Sequence, residues 1–253
     1  MHPGAKPEDR GYAIPGREFK RLVIDRCVLY LRGDLIDYAD TIAAAVSHEP
    51  SGETGAGAGN RHSGFSMKLD NGIELFVRYS RRGGLMRYLT RGLFLGVSAR
   101  PVQELAVTAE ARNRGIPVAE PLGAAVRWLL PALHRSAFLT RMLHGMTLWE
   151  FMQTDDDPTV RKHVVEEARV AISSAHQKGL YHADLNLHNI FVSSAGESFS
   201  VILIDLDKAR IYGSSLTPAL RVKNLTRLRR SLKKLDPMGL YFSEASVKAL
   251  TTP

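Results

Sequence analysis

His182, Asp184 and Asn189 stand in the run His182-Ala183-Asp184-Leu185-Asn186-Leu187-His188-Asn189, and Asp205 follows at the end of an apolar stretch. A carboxylate and an amide on one short loop, with a second carboxylate downstream, form a set suited to phosphoryl transfer. That reaction asks a protein for little covalent chemistry. It needs a carboxylate near the acceptor hydroxyl, oxygen ligands for Mg²⁺, and positive charge against the phosphates. The spacing matches a His-x-Asp loop with four residues before the Asn, in which the Asp accepts or orients the hydroxyl proton and the Asn holds a metal ion. Asp205 adds an oxygen ligand arriving from elsewhere in the chain, as an Mg²⁺ ion shared with phosphate oxygens requires. Singly, each residue is as readily explained as a turn cap. In this order and in these surroundings, the site reading outweighs that one. His182 and His188 read as residues that orient backbone or substrate rather than as metal ligands.

The flanking elements fit the same chemistry. Val164, Ala168, Ala171, Ile172 and Ala175 fall on one face of a helix expected over residues 160–178, with Gly179 as its stop. Ile190 to Val192 and Phe199 to Ile204 read as two short strands around the turn-rich Ser193-Ser194-Ala195-Gly196-Glu197, and the second delivers Asp205. Helix, polar loop, two-stranded hairpin and exit carboxylate is the order of elements in a kinase catalytic lobe.

Further upstream the pattern is richer in strands. Leu22 to Ile24 and Val28 to Leu31 read as strands, and Asp34 as the cap of a helix carrying Leu35, Ile36, Ala39, Ile42, Ala43 and Val46. Phe65, Met67 and Leu69, then Asp70-Asn71-Gly72, then Ile73, Leu75 and Val77 spell a hairpin. A helix opens at Pro101 and closes near Gly115; strands are expected over 126–130 and 137–143, and Thr147 as a further helix cap. No internal repeat is present.

Composition narrows the class. The 253 residues are 44% hydrophobic, enough for a globular core, and 34 Lys and Arg against 26 Asp and Glu leave a net charge of +8, which favours an acidic partner. The single cysteine, Cys27, excludes an internal disulfide and reads as buried; with no secretion signal at the start, a cytoplasmic location is expected. Apolar runs fall well short of the roughly 20 residues that span a bilayer.

The stretch Tyr181 to Ile190, followed by Leu203-Ile204-Asp205-Leu206-Asp207-Lys208-Ala209-Arg210, resembles the bacterial lipopolysaccharide core kinases, and among them the kinases of 3-deoxy-D-manno-octulosonic acid (Kdo). Val77 to Leu85, Gly115 to Pro121, Leu139 to Met142 and Asn224 to Leu232 resemble that family too, so the likeness covers about residues 64 to 235. It implies an α+β, protein-kinase-like bilobal fold, with a β-rich N-lobe over 1–143 and a mainly helical C-terminal catalytic lobe over 144–253. It implies ATP and Mg²⁺ as cofactors, Asp184 as the catalytic carboxylate, and Asn189 and Asp205 as Mg²⁺ ligands. Kinases also pair a strand Lys with a helix Glu so that the Lys reaches the phosphates. Here those positions are Arg78 and Glu104, with Lys68 and Glu110 as rivals. Gly57 and Gly59, in the glycine-rich stretch before the hairpin, stand where backbone amides would cradle phosphates; the same glycines also suit a flexible insertion.

The implied acceptor is a sugar hydroxyl of the lipopolysaccharide inner core, Kdo on lipid A, met at the cytoplasmic face of the inner membrane. Nucleic acid is not expected as a partner. Arg227, Arg230 and Lys234 recur opposite Leu225, Leu228, Leu232 and Leu235, the pattern either of a helix lying on an anionic membrane surface or of one packed on a core. A small-molecule kinase of the aminoglycoside or choline type, and a non-catalytic basic adaptor, are the competing readings.

Overall fold

The run Cys27-Val28-Leu29-Tyr30-Leu31 has no polar alternation, the mark of a strand covered on both faces, and the computed structural model buries all of it. Residues 18–47, 64–80, 94–95, 100–130, 133–195 and 198–252 are described. They fall into two compact units, one within 1–56, 60–109 and 120–142, the other within 57–59, 110–119 and 143–253.

The first unit is built on an antiparallel sheet. Its elements are β1 (Phe19–Ile24), β2 (Cys27–Arg32), a 3-10 turn at Gly33–Tyr38, α1 (Ala39–Ser47), β3 (Gly64–Lys68), β4 (Glu74–Tyr79) and β5 (Phe94–Leu95). The helix α2 (Arg100–Asn113) follows, with residues 100–109 in this unit, and then β6 (Pro121–Leu130) and β7 (Leu133–Arg141). The strands lie in the order β1-β2-β6-β7-β4-β3, with β5 paired to β7. Leu29 and Leu31 pack with Leu35, Ile42 and Val46 on one face, while Val28 and Tyr30 pack with Val102, Leu105 and Trp128 on the other. So α1 covers one side of the sheet and α2 the other. Each fully buried side chain of this kind contributes about 1.5–3 kcal/mol. Strand propensities differ by only ~1 kcal/mol, so packing on both faces decides the strand.

Two expectations shift. The helix expected from Asp34 begins instead as the 3-10 turn, and Asp34 does not cap it. Its carboxylate is taken by the Arg32 fork, with both contacts at 2.7 Å. The strands expected over 126–130 and 137–143 run over Pro121–Leu130 and Leu133–Arg141; proline is tolerated as the first residue of a strand, where it costs little ladder bonding. The hairpin at Asp70-Asn71-Gly72 forms as the residues imply. Asn71 Oδ1 accepts from the Ile73 amide at 3.0 Å, and Gly72 adopts φ +82°, which only glycine takes at no steric cost. Cys27 is buried, and burial pushes its thiol up to about 11, so it behaves as a small apolar side chain.

The second unit is mainly helical. It holds β8 (Gly145–Thr147), α3 (Leu148–Thr154), α4 (Pro158–Gln177), β9 (Leu180–Tyr181), β10 (Ile190–Ala195), β11 (Ser198–Leu203), β12 (Arg210–Ile211), α5 (Pro218–Leu235) and α6 (Glu244–Thr251). The strands form β11-β10-β8 and β12-β9, and α6 packs on both α4 and α5. Thr147 and Glu150 close a reciprocal capping box at the start of α3, as the residue types lead one to expect. Helix α4 starts two residues before its apolar periodicity does: Asp157 caps it and Pro158 takes the first turn, where its missing N–H costs nothing. It ends at Gly179, whose φ is +83° and where a Cβ would meet the carbonyls of Tyr212 and Ser214 at 2.5 Å.

On α5, Leu225, Leu228 and Leu232 are buried. The apolar stripe therefore faces the core of its own unit and is not available to lie on a membrane. No helix among the described residues is long and apolar enough to cross one.

Candidate active site

The loop between β9 and β10 starts at His182, and its imidazole makes two bonds. Nε2 donates to the Ile204 carbonyl at 2.9 Å, and Nδ1 accepts from the Asp184 backbone amide at 3.3 Å. Only the neutral Nε2–H tautomer satisfies both. Burial lowers the His182 pKa, which favours that neutral form. One ring thereby ties the backbone of Asp184 to the residue that precedes Asp205.

Asn189 completes the loop. Its Nδ2 donates to the Asp184 carbonyl at 2.9 Å, and Asn186 Nδ2 donates to the same oxygen at 2.8 Å. With its nitrogen committed, the Asn189 amide is left with Oδ1, the atom able to ligate a cation. The Ile204 amide donates to the Asn189 carbonyl at 3.0 Å, so Asp205 follows a residue bonded to both His182 and Asn189. Asp205 itself has φ +61°. That left-handed conformation costs a non-glycine residue about 1–3 kcal/mol and persists where the surroundings over-determine it, as at functional sites.

An Mg²⁺ ion fits this donor set. Among the described residues no three His, Cys, Asp or Glu side chains converge. Asn189 and Asp205 would offer such an ion one amide and one carboxylate oxygen, a set that phosphate oxygens and water would have to complete.

Helix α5 holds the loop along one edge. Asn224, Arg227 and Ser231 recur at three and four positions, so they share that edge. Asn224 Nδ2 donates to the His182 carbonyl at 2.5 Å, and its Oδ1 accepts from His176 Nε2 at 3.0 Å. Ser231 Oγ accepts from the Leu187 amide at 3.3 Å. Arg227 Nη1 donates to Asp184 Oδ1 at 3.0 Å. The charge pattern assigns Arg227 only to a basic face and gives no role to Asn224, Ser231 or His176. The available signal is Asn224 beside the apolar stripe of α5. A buried amide there must find partners, because leaving it unbonded costs several times what it gains by packing.

In the first unit, Arg78 on β4 and Glu104 on α2 form an ion pair, Nη2 to Oε1, at 2.5 Å, with Glu104 only 3% exposed. The Arg78 guanidinium also lies over the ring of its cross-strand partner Phe138, 5.9 Å from the centroid. A buried carboxylate requires such a cation. The rivals are engaged elsewhere: Lys68 with Glu74 at 3.8 Å and Glu110 with Arg114 at 2.7 Å. Gly57 and Gly59 lie outside the described residues.

Known proteins resemble this chain in sequence and in fold. A 3-deoxy-D-manno-octulosonic acid kinase of Xylella fastidiosa is 34% identical over 183 residues, covering 70% of this chain and 68% of that one. Among solved structures, WaaP in complex with acyl carrier protein superposes with a TM-score of 0.55 at 16% identity, covering 88% of this chain and 86% of that one. The Rio2 kinase of Chaetomium thermophilum, in its ADP/Mg²⁺-phosphoaspartate complex, gives 0.50 at 16% identity, over 94% of this chain and 73% of that one. The fold is therefore protein-kinase-like, in the α+β class. The model of the lipopolysaccharide kinase (Kdo/WaaP) family matches residues 50–252, and the chain belongs to that family.

Proposed function

We propose that this kinase transfers the γ-phosphoryl group of ATP to a hydroxyl of a Kdo residue in the lipopolysaccharide inner core. The observation that carries the reading is the His182-centred bonding that sets Asp184 beside Asn189 and Asp205. The Kdo kinase likeness supports the acceptor, and the ADP and Mg²⁺ of the Rio2 complex support the donor. The acceptor oxygen bonds to the γ-phosphorus as the bond from that phosphorus to the β–γ bridging oxygen breaks, and ADP leaves. Asp184 orients the hydroxyl and takes its proton. Asn189 and Asp205 hold Mg²⁺, which supplies positive charge to the phosphate oxygens. Arg78, steadied by Glu104, contacts the α and β phosphates; its fork is wider than an ammonium and suits two oxygens at once. Gly57 and Gly59 belong to the same proposal as backbone donors to the phosphates.

Incubation with ATP, Mg²⁺ and Kdo-bearing lipid A should yield an acceptor heavier by one phosphate in a mass spectrum. Asp205→Asn should lose both this product and the rise in Tm that Mg²⁺ adds to ADP. A variant that keeps the Mg²⁺-dependent rise removes Asp205 from the metal site, and a wild type that leaves the acceptor mass unchanged overturns the assignment.

The same reading places the chain peripherally at an anionic membrane. The exposed cations of α5, among them Arg230, Lys233 and Lys234, support it. Each basic residue near such a surface is worth about 1 kcal/mol. With the leucines of α5 buried, attraction is electrostatic. Co-sedimentation with vesicles containing phosphatidylglycerol should disappear at about 1 M salt, where the Debye length is ~3 Å, and should weaken when those three residues become Ser. Binding indifferent to both changes argues against electrostatic attraction and for insertion of apolar side chains instead.

A further inference from the structure

The geometry points to Arg227 as the residue that recognises the acceptor's carboxylate. This inference rests on the acceptor assignment above and deepens it. Its starting point is that Arg227 is the one α5 side chain bonded to the Asp184 carboxylate among the hydrogen bonds described for that group, Nη1 to Oδ1 at 3.0 Å. Any hydroxyl engaged by Asp184 therefore lies within a side chain's width of a guanidinium.

The position is built, and it is not a chance approach of a long surface arginine. Asn224, three residues before, and Ser231, four residues after, bond the same edge of α5 to the His182 carbonyl and the Leu187 amide. Those two bonds fix the helix against the loop on either side of Arg227. Its reach to Asp184 is then a property of the scaffold.

The chemistry of the pair leaves room for a second anion. A guanidinium carries five N–H donors in a planar fork, and the bond to Asp184 uses one of them. The Arg227 side chain is 48% exposed and that of Asp184 58%, so both are open to a solute. The acceptor named for the relative is a sugar acid, and a planar fork matches a carboxylate better than any other cation does. Arg227 holds Asp184 when no acceptor is present. On binding, it turns further donors to the acceptor's carboxylate, so that the neighbouring hydroxyl comes to rest against Asp184. A neutral sugar would bring the hydroxyl without the handle. Arg227 on this view sets acceptor specificity, and the general base remains Asp184.

The test compares Kdo-bearing lipid A with the same acceptor methyl-esterified at the Kdo carboxyl, for the wild type, Arg227→Met and Arg227→Lys. For the wild type, esterification should lower kcat/KM for the acceptor by about 10–100-fold, the worth of a charge-assisted hydrogen bond. Arg227→Met should lose at least a similar factor on the free acid and should turn over acid and ester at nearly equal kcat/KM, with KM for ATP unchanged. Arg227→Lys should retain part of the preference for the acid, since it keeps charge without the fork. A wild type active on both acceptors but indifferent to the ester overturns the inference, as does an Arg227→Met enzyme with the wild-type acid-to-ester ratio. Should Arg227→Met fail to fold, the wild-type and Arg227→Lys ratios decide alone. Inactivity of the wild type on both acceptors is a different result: it overturns the acceptor assignment itself and this inference with it.

Discussion

Asp184→Asn should lower kcat by about 10²–10⁴-fold, the range spanned by loss of a positioned general base, while KM for ATP changes little. The substitution isolates the carboxylate because the bonds that shape the loop do not use it. His182 bonds the Asp184 amide, and Asn186 and Asn189 bond its carbonyl. An amide at this position keeps all three and still offers Arg227 an oxygen. The one ionic contact that weakens is half exposed on both sides, and pairs of that kind contribute only about 0–1 kcal/mol. The variant should therefore unfold in urea within ~1 kcal/mol of the wild type, with the same dependence on denaturant. Steady-state kinetics and a urea titration on one preparation measure both. A rate within tenfold of the wild type would take Asp184 out of the proton transfer, and the family loop would then need another base.

The parts of this site that can be read along the chain are those whose geometry is local. Asp184 and Asn189 are bonded across five positions, and Asn71 bonds two residues ahead in its turn. Spacing alone encodes such contacts, so the loop and the hairpin are legible. Asp205 is legible for a related reason: an apolar strand must end, and it ends on a carboxylate. Asn224 is not, because its partners lie 42 and 48 positions away and only the packing of α5 against the loop brings them together. Arg78 and Glu104 fall between these cases. They are 26 positions apart, and the family resemblance, with no help from periodicity, names them. Asp34 misleads because a capping residue type followed by an apolar pattern says nothing of Arg32, whose fork competes for the carboxylate at 2.7 Å. Arg227 is misread in the same way: a cation on a basic stripe is ordinary until the carboxylate facing it is known. In each instance the missing term is a long-range partner that changes what a side chain is for.

That reasoning makes Asn224 the most costly to alter of the three α5 side chains that hold the loop. Asn224→Leu should lower the free energy of unfolding by about 2–4 kcal/mol and reduce kcat together with it. The amide orientation follows from chemistry: the His182 carbonyl can only accept, so Nδ2 faces it, and Oδ1 then meets the protonated Nε2 of His176. Leucine removes both bonds at once. The His182 carbonyl keeps the Leu185 amide at 3.2 Å, whereas the His176 N–H loses the acceptor described for it in a buried setting. A buried donor left unpaired costs about 1–3 kcal/mol, and the second lost bond and the poorer fit add to it. Burial already lowers the His176 pKa, so the ring does not escape the penalty by taking up a proton. Ser231→Ala, on the same edge of α5 but losing a single bond, at 3.3 Å, from the amide of the buried Leu187, should cost less, about 1 kcal/mol. Urea midpoints for the two variants, read at an unchanged slope, give the comparison. Equal losses would mean that α5 holds the catalytic loop by packing alone, and a stable Asn224→Leu enzyme with wild-type kcat would show that the His176–Asn224–His182 chain does not position Asp184.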